Sequence, residues 1–211
     1  MIDNNKPTIL ISKCIEGEAC RYDGSMIKDS FINKLKPYVN VIEVCPEVEI
    51  GLSTPRDSLR LINKENEIKL LCTKSGEDLT DKMINFSSDF FKSIDKSKIH
   101  GVILKGKSPS CGIKDVKLYN GIEKGSAINK NSSGIFANKV IEEFENIPIE
   151  DEGRLTNYNI REKFLTSLYA NFNFIKVEES RSVNELIKFQ SKYKYLLMAY
   201  SPSRQKELGK I

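Results

Sequence analysis

The apolar positions of the chain form two alternating patterns, short compact runs and longer stretches with helical spacing. The short, β-branched runs indicate strands and cover residues 8–12, 39–44, 67–73 and 99–105. The stretches with helical spacing cover residues 25–38, 78–95 and 135–146. Strands and helices that alternate in this way are typical of right-handed βαβ units. The pattern therefore predicts an α/β fold, with a mainly parallel sheet and helices on both faces.

After residue 146 the chain is predicted to end in an α-helical segment. Residues 160–175 have the pattern of one helix, and a further helical stretch begins at Ser182. The turn-rich residues 120–134 predict a surface loop. We expect three parts along the chain: an α/β domain over residues 1–150, a helical connector that completes it over 151–180, and the start of a basic helical second domain over 181–211.

The formal net charge of +4 belongs to the C-terminal part of the chain. Residues 181–211 carry seven basic and two acidic side chains, whereas the first 180 residues carry 26 basic and 27 acidic ones. A basic tail of this kind suits either an RNA partner or a solvated helix face, and both readings stay open. No stretch reaches the ~18 apolar residues of a membrane span, and the N-terminus lacks a secretion signal, so we expect a cytoplasmic protein with no membrane partner.

Three cysteines follow three of the predicted strands. Cys14 comes just after the first strand, Cys45 ends the second, and Cys111 lies in the turn "KGKSPSCGIKD" after the strand at 99–105. The carboxyl ends of parallel strands share one edge of a sheet, where ligands bind, so we expect these thiols to converge. The odd total of five cysteines argues against a disulfide framework. Buried structural thiols and a metal site remain equally open from this pattern.

Three thiols without a nearby histidine favour an iron–sulfur cluster over zinc. Structural zinc takes four protein ligands, and the lone His100 falls in a predicted strand, away from the cysteines. A cluster held by three cysteines leaves one iron open to a substrate atom. Cys72 is predicted to be a core residue, and Cys20 a spare or redox-sensitive thiol that we do not assign to the metal.

Five motifs, in order, give the chain a specific resemblance to a known family. "SKCIEGEACRYDG", "VCPEVEIGLSTPR", "LKGKSPSCG", "GIFA" and "EGRL" followed by "REKF" closely resemble the thiouracil desulfidase family over residues 8–170. The resemblance implies a [4Fe-4S] cluster bound by Cys14, Cys45 and Cys111. It also implies that the open iron takes the sulfur of a thiolated uracil without net redox chemistry.

The C-terminal stretch resembles a second family. "NELIKFQSKYKYLLMAYS" and "RQKELGKI" are similar to the start of an uncharacterised helical domain that is often fused downstream. Gln190 and Tyr193 stand where that domain commonly has histidines, so this chain departs from its pattern there.

Three further residues near the cysteines are candidates for catalysis. Glu47 lies two residues after Cys45, and in an extended loop positions two apart point the same way, so its carboxylate could reach the open face of a cluster and deprotonate water. The alternative is an exposed loop glutamate. Ser108 and Ser110 flank Pro109, and either hydroxyl could hydrogen-bond the departing sulfur. The family resemblance favours Ser108.

Four residues are candidates for binding the pyrimidine. Arg21, Tyr22, Asp23 and Arg56 supply a stacking surface and hydrogen-bonding groups for the edge of a base. An Arg–Asp pair that only stabilises a turn is an equally good explanation of "RYDG". We therefore expect an iron–sulfur enzyme that desulfurates a thiouracil- or thiouridine-type substrate. The alternatives are a non-catalytic module that binds thiolated RNA or a partner through the basic tail, and a structural metal domain.

Overall fold

The protein contains a parallel four-stranded sheet, as the hydrophobic pattern predicts. A computed structural model describes residues 3–65, 67–123, 125 and 127–210. The sheet has the strand order β2-β1-β5-β8, in which all neighbours are parallel. Its strands are β1 (Thr8–Ser12), β2 (Asn40–Val44), β5 (Gly101–Leu104) and β8 (Ile149–Asp151).

A second four-stranded sheet lies beside the first, and the sequence does not predict it. Its order is β4-β3-β6-β7, with antiparallel outer pairs and a parallel β3–β6 pair. Its strands are β3 (Leu59–Lys64), β4 (Glu67–Cys72), β6 (Val116–Tyr119) and β7 (Asn129–Ser132). Only β4 corresponds to a predicted strand. The residues 120–134 are predicted to form a surface loop, but part of this range forms β7. Lys124 and Ser126 of the same range lie outside the described residues.

Seven α-helices are found in the described residues. They are α1 (Ser30–Leu35), α2 (Pro46–Glu49), α3 (Thr80–Ser93), α4 (Ile135–Glu143), α5 (Tyr158–Ser180), α6 (Val183–Tyr200) and α7 (Pro202–Leu208). The predicted helix over 25–38 is wrong in its first turn, because Asp29 caps α1 by accepting hydrogen bonds from the N–H groups of Phe31 and Ile32. The sequence does not predict helix α2 either, because the segment that follows Cys45 is expected to be an extended loop.

Alternating side chains of the parallel sheet face two separate cores. Leu10, Val102 and Leu104 pack into a cluster with residues of α3, α4 and the second sheet. Ile11 and Ile103 point the other way and pack against residues of α1 and α5. This alternation places helices on both faces of the sheet and confirms the predicted α/β class.

Helix α5 belongs to the α/β core, whereas α6 and α7 lie outside it. Phe164 and Leu168 of α5 are buried against the parallel sheet. Arg181 then adopts a left-handed conformation with φ of 47°, which ends α5 and lets α6 fold back. Phe174 and Phe189 join the two helices, with ring centroids 5.4 Å apart. The turn at Arg181 coincides with the predicted boundary at residue 181, although the division into domains stays a prediction.

No helix in the part of the chain that the structure describes is long and apolar enough to cross a membrane.

Candidate active site

The three predicted ligand cysteines line one cavity at the carboxyl edge of the parallel sheet. Cys14, Cys45 and Cys111 are each at most 8% exposed, and all three line a cavity of about 270 Å³. Glu47 and Ser108 line the same cavity, whereas Ser110 is fully buried behind it. The topology thus brings together residues that are almost 100 positions apart in the sequence.

Strand pairing explains why Cys14 and Cys45 are neighbours. β1 and β2 are parallel and in register up to the pair Ser12–Val44. The Lys13 N–H then donates to the Val44 carbonyl at 2.8 Å, which continues the pairing to the point where both cysteines follow. Cys45 is also the N-cap of α2, so its position is set by a strand on one side and a helix on the other.

The turn that carries Cys111 is held by its own serine. The Ser108 hydroxyl oxygen accepts hydrogen bonds from the N–H groups of Ser110 at 3.2 Å and Cys111 at 3.1 Å. The carbonyl groups of Pro109 and Ser110 in turn accept the N–H groups of Ile135 and Ala137 in the first turn of α4. Cys111 is therefore fixed between the end of β5 and the start of α4.

Gly134 allows this close contact between the turn and α4. A Cβ atom at residue 134 would lie 2.4 Å from the carbonyl oxygen of Ser110 and 2.8 Å from that of Pro109. These distances are shorter than any real van der Waals contact, so any larger residue would push the cysteine-bearing turn away from the helix.

Burial makes two of the cavity thiols, Cys14 and Cys111, weak acids. Burial, and then the charge of Cys45, raises the pKa of Cys14 to about 12. Burial also raises the pKa of Cys111 well above its usual value, against a hydrogen bond from Ser12. A thiolate here needs a neighbouring cation for charge compensation, and a soft metal centre would supply it.

The donor set fits an iron–sulfur cluster better than one metal ion. Among the described residues, no three His, Cys, Asp or Glu side chains come close enough together to hold a single metal ion. A zinc ion with Zn–S bonds of about 2.3 Å would need all its sulfurs to approach one point. In a four-iron cluster each cysteine binds a different iron, so three thiols spread around one cavity are suitable.

Glu47 is clamped in place, and it does not lie in an extended loop. It belongs to the first turn of α2, which follows Cys45 directly. Arg56 donates to Oε2 through Nε at 2.8 Å and through Nη2 at 2.7 Å, and the Ser110 hydroxyl donates to Oε1 at 2.8 Å. The Glu47 and Arg56 side chains are only 12% and 6% exposed, so the alternative of an exposed loop glutamate does not hold.

The predicted pyrimidine-binding residues divide into two groups. Arg21, Tyr22 and Arg56 line the cavity, and Tyr22 is 46% exposed with the Arg21 guanidinium 5.5 Å from its ring centroid. Asp23 is exposed, is not among the residues that line this cavity, and accepts hydrogen bonds from the N–H and hydroxyl of Ser25. Its 3.3 Å ion pair with Arg21 matches the turn-stabilising explanation of "RYDG".

The sequence interpretation missed two parts of the cavity. Lys105 lines it and forms a 2.6 Å ion pair with Glu152, a buried carboxylate that also accepts the Gly106 N–H at 2.7 Å. Ser12, which ends β1 and accepts the backbone N–H of Lys105 at 2.9 Å, lines the cavity as well. Lys105 and Ser12 end two of the predicted strands. The rule that ligands bind at the carboxyl ends of parallel strands could therefore have identified both residues. Cys72 ends β4 half-buried rather than in the core.

His100 is a structural residue in the described fold. Its Nδ1 accepts the backbone N–H of Thr8 at 3.0 Å, and its ring meets Phe172 edge-on at 5.0 Å. It precedes β5, at the opposite end of the sheet from Cys111, as the sequence pattern indicates.

Fold and site together define a class: an α/β protein with a cysteine-lined cavity at the carboxyl edge of a parallel sheet and a clamped carboxylate beside it. The family described as "2-thiouracil desulfurase" matches residues 9–152, a range that contains every predicted site residue. The chain belongs to the 2-thiouracil desulfurase family, and it is an enzyme of the thiouracil desulfidase type. The resemblance found in the sequence motifs is confirmed.

Two relatives illustrate this membership. The uncharacterized protein YbbK of Bacillus subtilis (strain 168) is 35% identical over 134 residues, which cover 61% of this chain and 86% of YbbK. Among solved structures, the [4Fe-4S]-dependent thiouracil desulfidase TudS is similar with a TM-score of 0.57 and 26% identity. The match covers 75% of this chain and 99% of TudS.

Proposed function

We propose that this protein removes sulfur from a thiolated pyrimidine, of the thiouracil or thiouridine type, at a [4Fe-4S] cluster held by Cys14, Cys45 and Cys111. The observation that carries the proposal is the shared cavity, which the three thiols and the clamped Glu47 line together. The structural similarity to a [4Fe-4S]-dependent desulfidase supports the same cofactor.

The reaction is a hydrolysis with no net oxidation or reduction. A C=S group and water give a C=O group and hydrogen sulfide, so the atoms and electrons balance without a redox partner. When bound, the cluster supplies a soft iron with an open position, which polarises the C=S bond and receives the sulfur. The protein itself must activate water and hold the base.

Glu47 is the group placed to activate water. Its Oε2 is saturated by two hydrogen bonds from Arg56, while Oε1 accepts one from Ser110 and keeps a lone pair for a proton. Arg56 and Ser110 thus act as positioning residues that fix which oxygen accepts the proton from water. The Ser108 hydroxyl lines the cavity and can still donate its own hydrogen to the substrate sulfur.

The mouth of the cavity suits a flat, polar ring. The half-exposed Tyr22 offers a face for stacking, and Arg21 supplies guanidinium donors for a carbonyl edge. We place the reaction in the cytoplasm, because a cluster on free thiolates needs a reducing compartment. An RNA substrate bound through the basic tail stays a prediction, as does the use of a free base.

The test is turnover by anaerobically purified protein with 2-thiouracil and 4-thiouridine. We expect Glu47→Ala to lower the turnover number by about 10²- to 10⁴-fold, since it removes the base but none of the cysteines. Iron content should match that of the unmodified protein.

Glu49→Ala is the matched control, because Glu49 lies in the same short helix but is exposed and does not line the cavity. It should retain turnover within about twofold. Full activity in Glu47→Ala would contradict the assignment of the base, and no turnover of either substrate by cluster-loaded protein would contradict the proposed reaction.

A further inference from the structure

A fourth thiol lines the cavity and is not used by the proposed reaction. Cys20 is 5% exposed and lies among the same lining residues as the three proposed ligands. The Cys45 thiol donates a hydrogen bond to the carbonyl of Cys20, with sulfur and oxygen 3.8 Å apart. Burial, and then the charge and hydrogen bonding of the Cys45 sulfur, raises the pKa of Cys20 to about 12.

The backbone on both sides keeps Cys20 and Cys45 together. The Cys20 N–H donates to the Glu18 carbonyl at 2.8 Å, and the Tyr22 carbonyl accepts the Arg56 N–H at 2.8 Å, so the loop that carries Cys20 is tied to the chain beyond α2. Cys45 is fixed as the N-cap of α2. These backbone contacts hold the two thiols at the same cavity.

We propose that Cys20 and Cys45 form a redox modification site, in which peroxide converts the two thiols into an intramolecular disulfide when the cluster is lost. The inference rests on the proposed function only in taking Cys45 as a cluster ligand. The disulfide removes one of three ligands, so the emptied site must be reduced before a cluster can be built again.

The chemistry balances with hydrogen peroxide as the oxidant. Cys45 leaves the metal as a thiolate and attacks peroxide, which gives a sulfenic acid on Cys45 and hydroxide. The hydroxide takes the proton of Cys20 to give water, the Cys20 thiolate attacks the sulfenic sulfur, a disulfide bond forms, and hydroxide leaves. The two sulfurs together lose two electrons, and the peroxide is reduced.

Cys72 and Cys111 are less suitable partners for Cys45, and the Cys45 thiol has no hydrogen bond to Cys14 in the described residues. Cys111 follows β5, which β1 separates from β2 and therefore from Cys45 in the sheet. Cys72 ends β4 and is not among the residues that line the cavity. In the described residues, the Cys45 thiol has a hydrogen bond to Cys20 and to none of the other three cysteines.

The experiment treats anaerobically purified, cluster-loaded protein with hydrogen peroxide, alkylates the remaining thiols and maps disulfides by peptide mass. We expect one cross-link, between Cys20 and Cys45, in a protein about 2 Da lighter than its reduced form. After peroxide, the unmodified protein should fail to regain its cluster from iron and sulfide until a thiol reductant is added.

Two variants make the result specific. Cys20→Ser should load a cluster normally, give no such cross-link and regain its cluster after peroxide without the thiol reductant. Cys72→Ser is the control and should behave like the unmodified protein.

Three outcomes decide the matter. The Cys20–Cys45 cross-link with the stated behaviour of Cys20→Ser supports the inference. A protein that loads its cluster but shows no cross-link, or one between Cys45 and another cysteine, overturns the inference and leaves the proposed function intact. A protein that never loads iron overturns both.

Discussion

At the scale of single residues, Glu47 is held by Arg56 and Ser110 at the edge of the cysteine-lined cavity. The sequence identifies all three as candidates from their types and their distance to the cysteines. It does not predict that Arg56 and Ser110 bind Glu47, because Ser110 is 63 positions away and only the folded sheet brings them together. The structure thus adds to the pyrimidine-binding role predicted for Arg56 a second role, in which it positions Glu47, the base that we propose.

Replacing Arg56 tests this positioning role. We expect Arg56→Gln to lower the turnover number by about 10- to 100-fold, because the carboxylate loses the two hydrogen bonds that orient it. Steady-state kinetics should show the loss in the turnover number and little change in KM, with unchanged iron content.

Arg161→Gln serves as the control, since Arg161 lies on α5 beside Phe31 and does not line the cavity. A large rise in KM for Arg56→Gln with an unchanged turnover number would show instead that Arg56 binds the substrate.

At the scale of elements, the cysteine-bearing turn depends on its contact with α4. The sequence predicts β5, the turn and α4 separately, and Gly134 is the last residue of the predicted loop before the helical stretch at 135–146. The reason for the glycine is visible only in the fold, where the turn's carbonyl groups lie against residue 134. Strands β3, β6 and β7 escape prediction because their polar residues hide the alternation and only tertiary pairing selects them.

Gly134→Ala should therefore displace the turn that carries Cys111, although Gly134 itself does not line the cavity. We expect it to destabilise the protein by about 1–3 kcal/mol, because the new methyl group overlaps the Ser110 carbonyl. The midpoint temperature of thermal unfolding and the iron content of the protein should both fall.

Gly121→Ala is the matched control, since a Cβ atom at residue 121 meets nothing within 4 Å. Equal stability and equal iron content in the two variants would show that the close contact at Gly134 does not matter.

At the scale of the whole molecule, strand order explains why distant cysteines meet. β1 lies between β2 and β5, so the segments that follow these three strands emerge side by side and carry Cys14, Cys45 and Cys111. Periodicity and the parallel-sheet rule are enough to predict this meeting point. They cannot predict the second sheet or the course of α6 and α7, which depend on contacts between remote segments.

Metal analysis of anaerobically purified protein addresses most directly whether these cysteines hold a cluster. We predict about four irons and about four acid-labile sulfides per chain in the unmodified protein and in Cys72→Ser. Cys14→Ser, Cys45→Ser and Cys111→Ser should each lose most of both. Iron-free protein with reduced thiols, or full iron and sulfide in all three of these serine variants, would contradict the account.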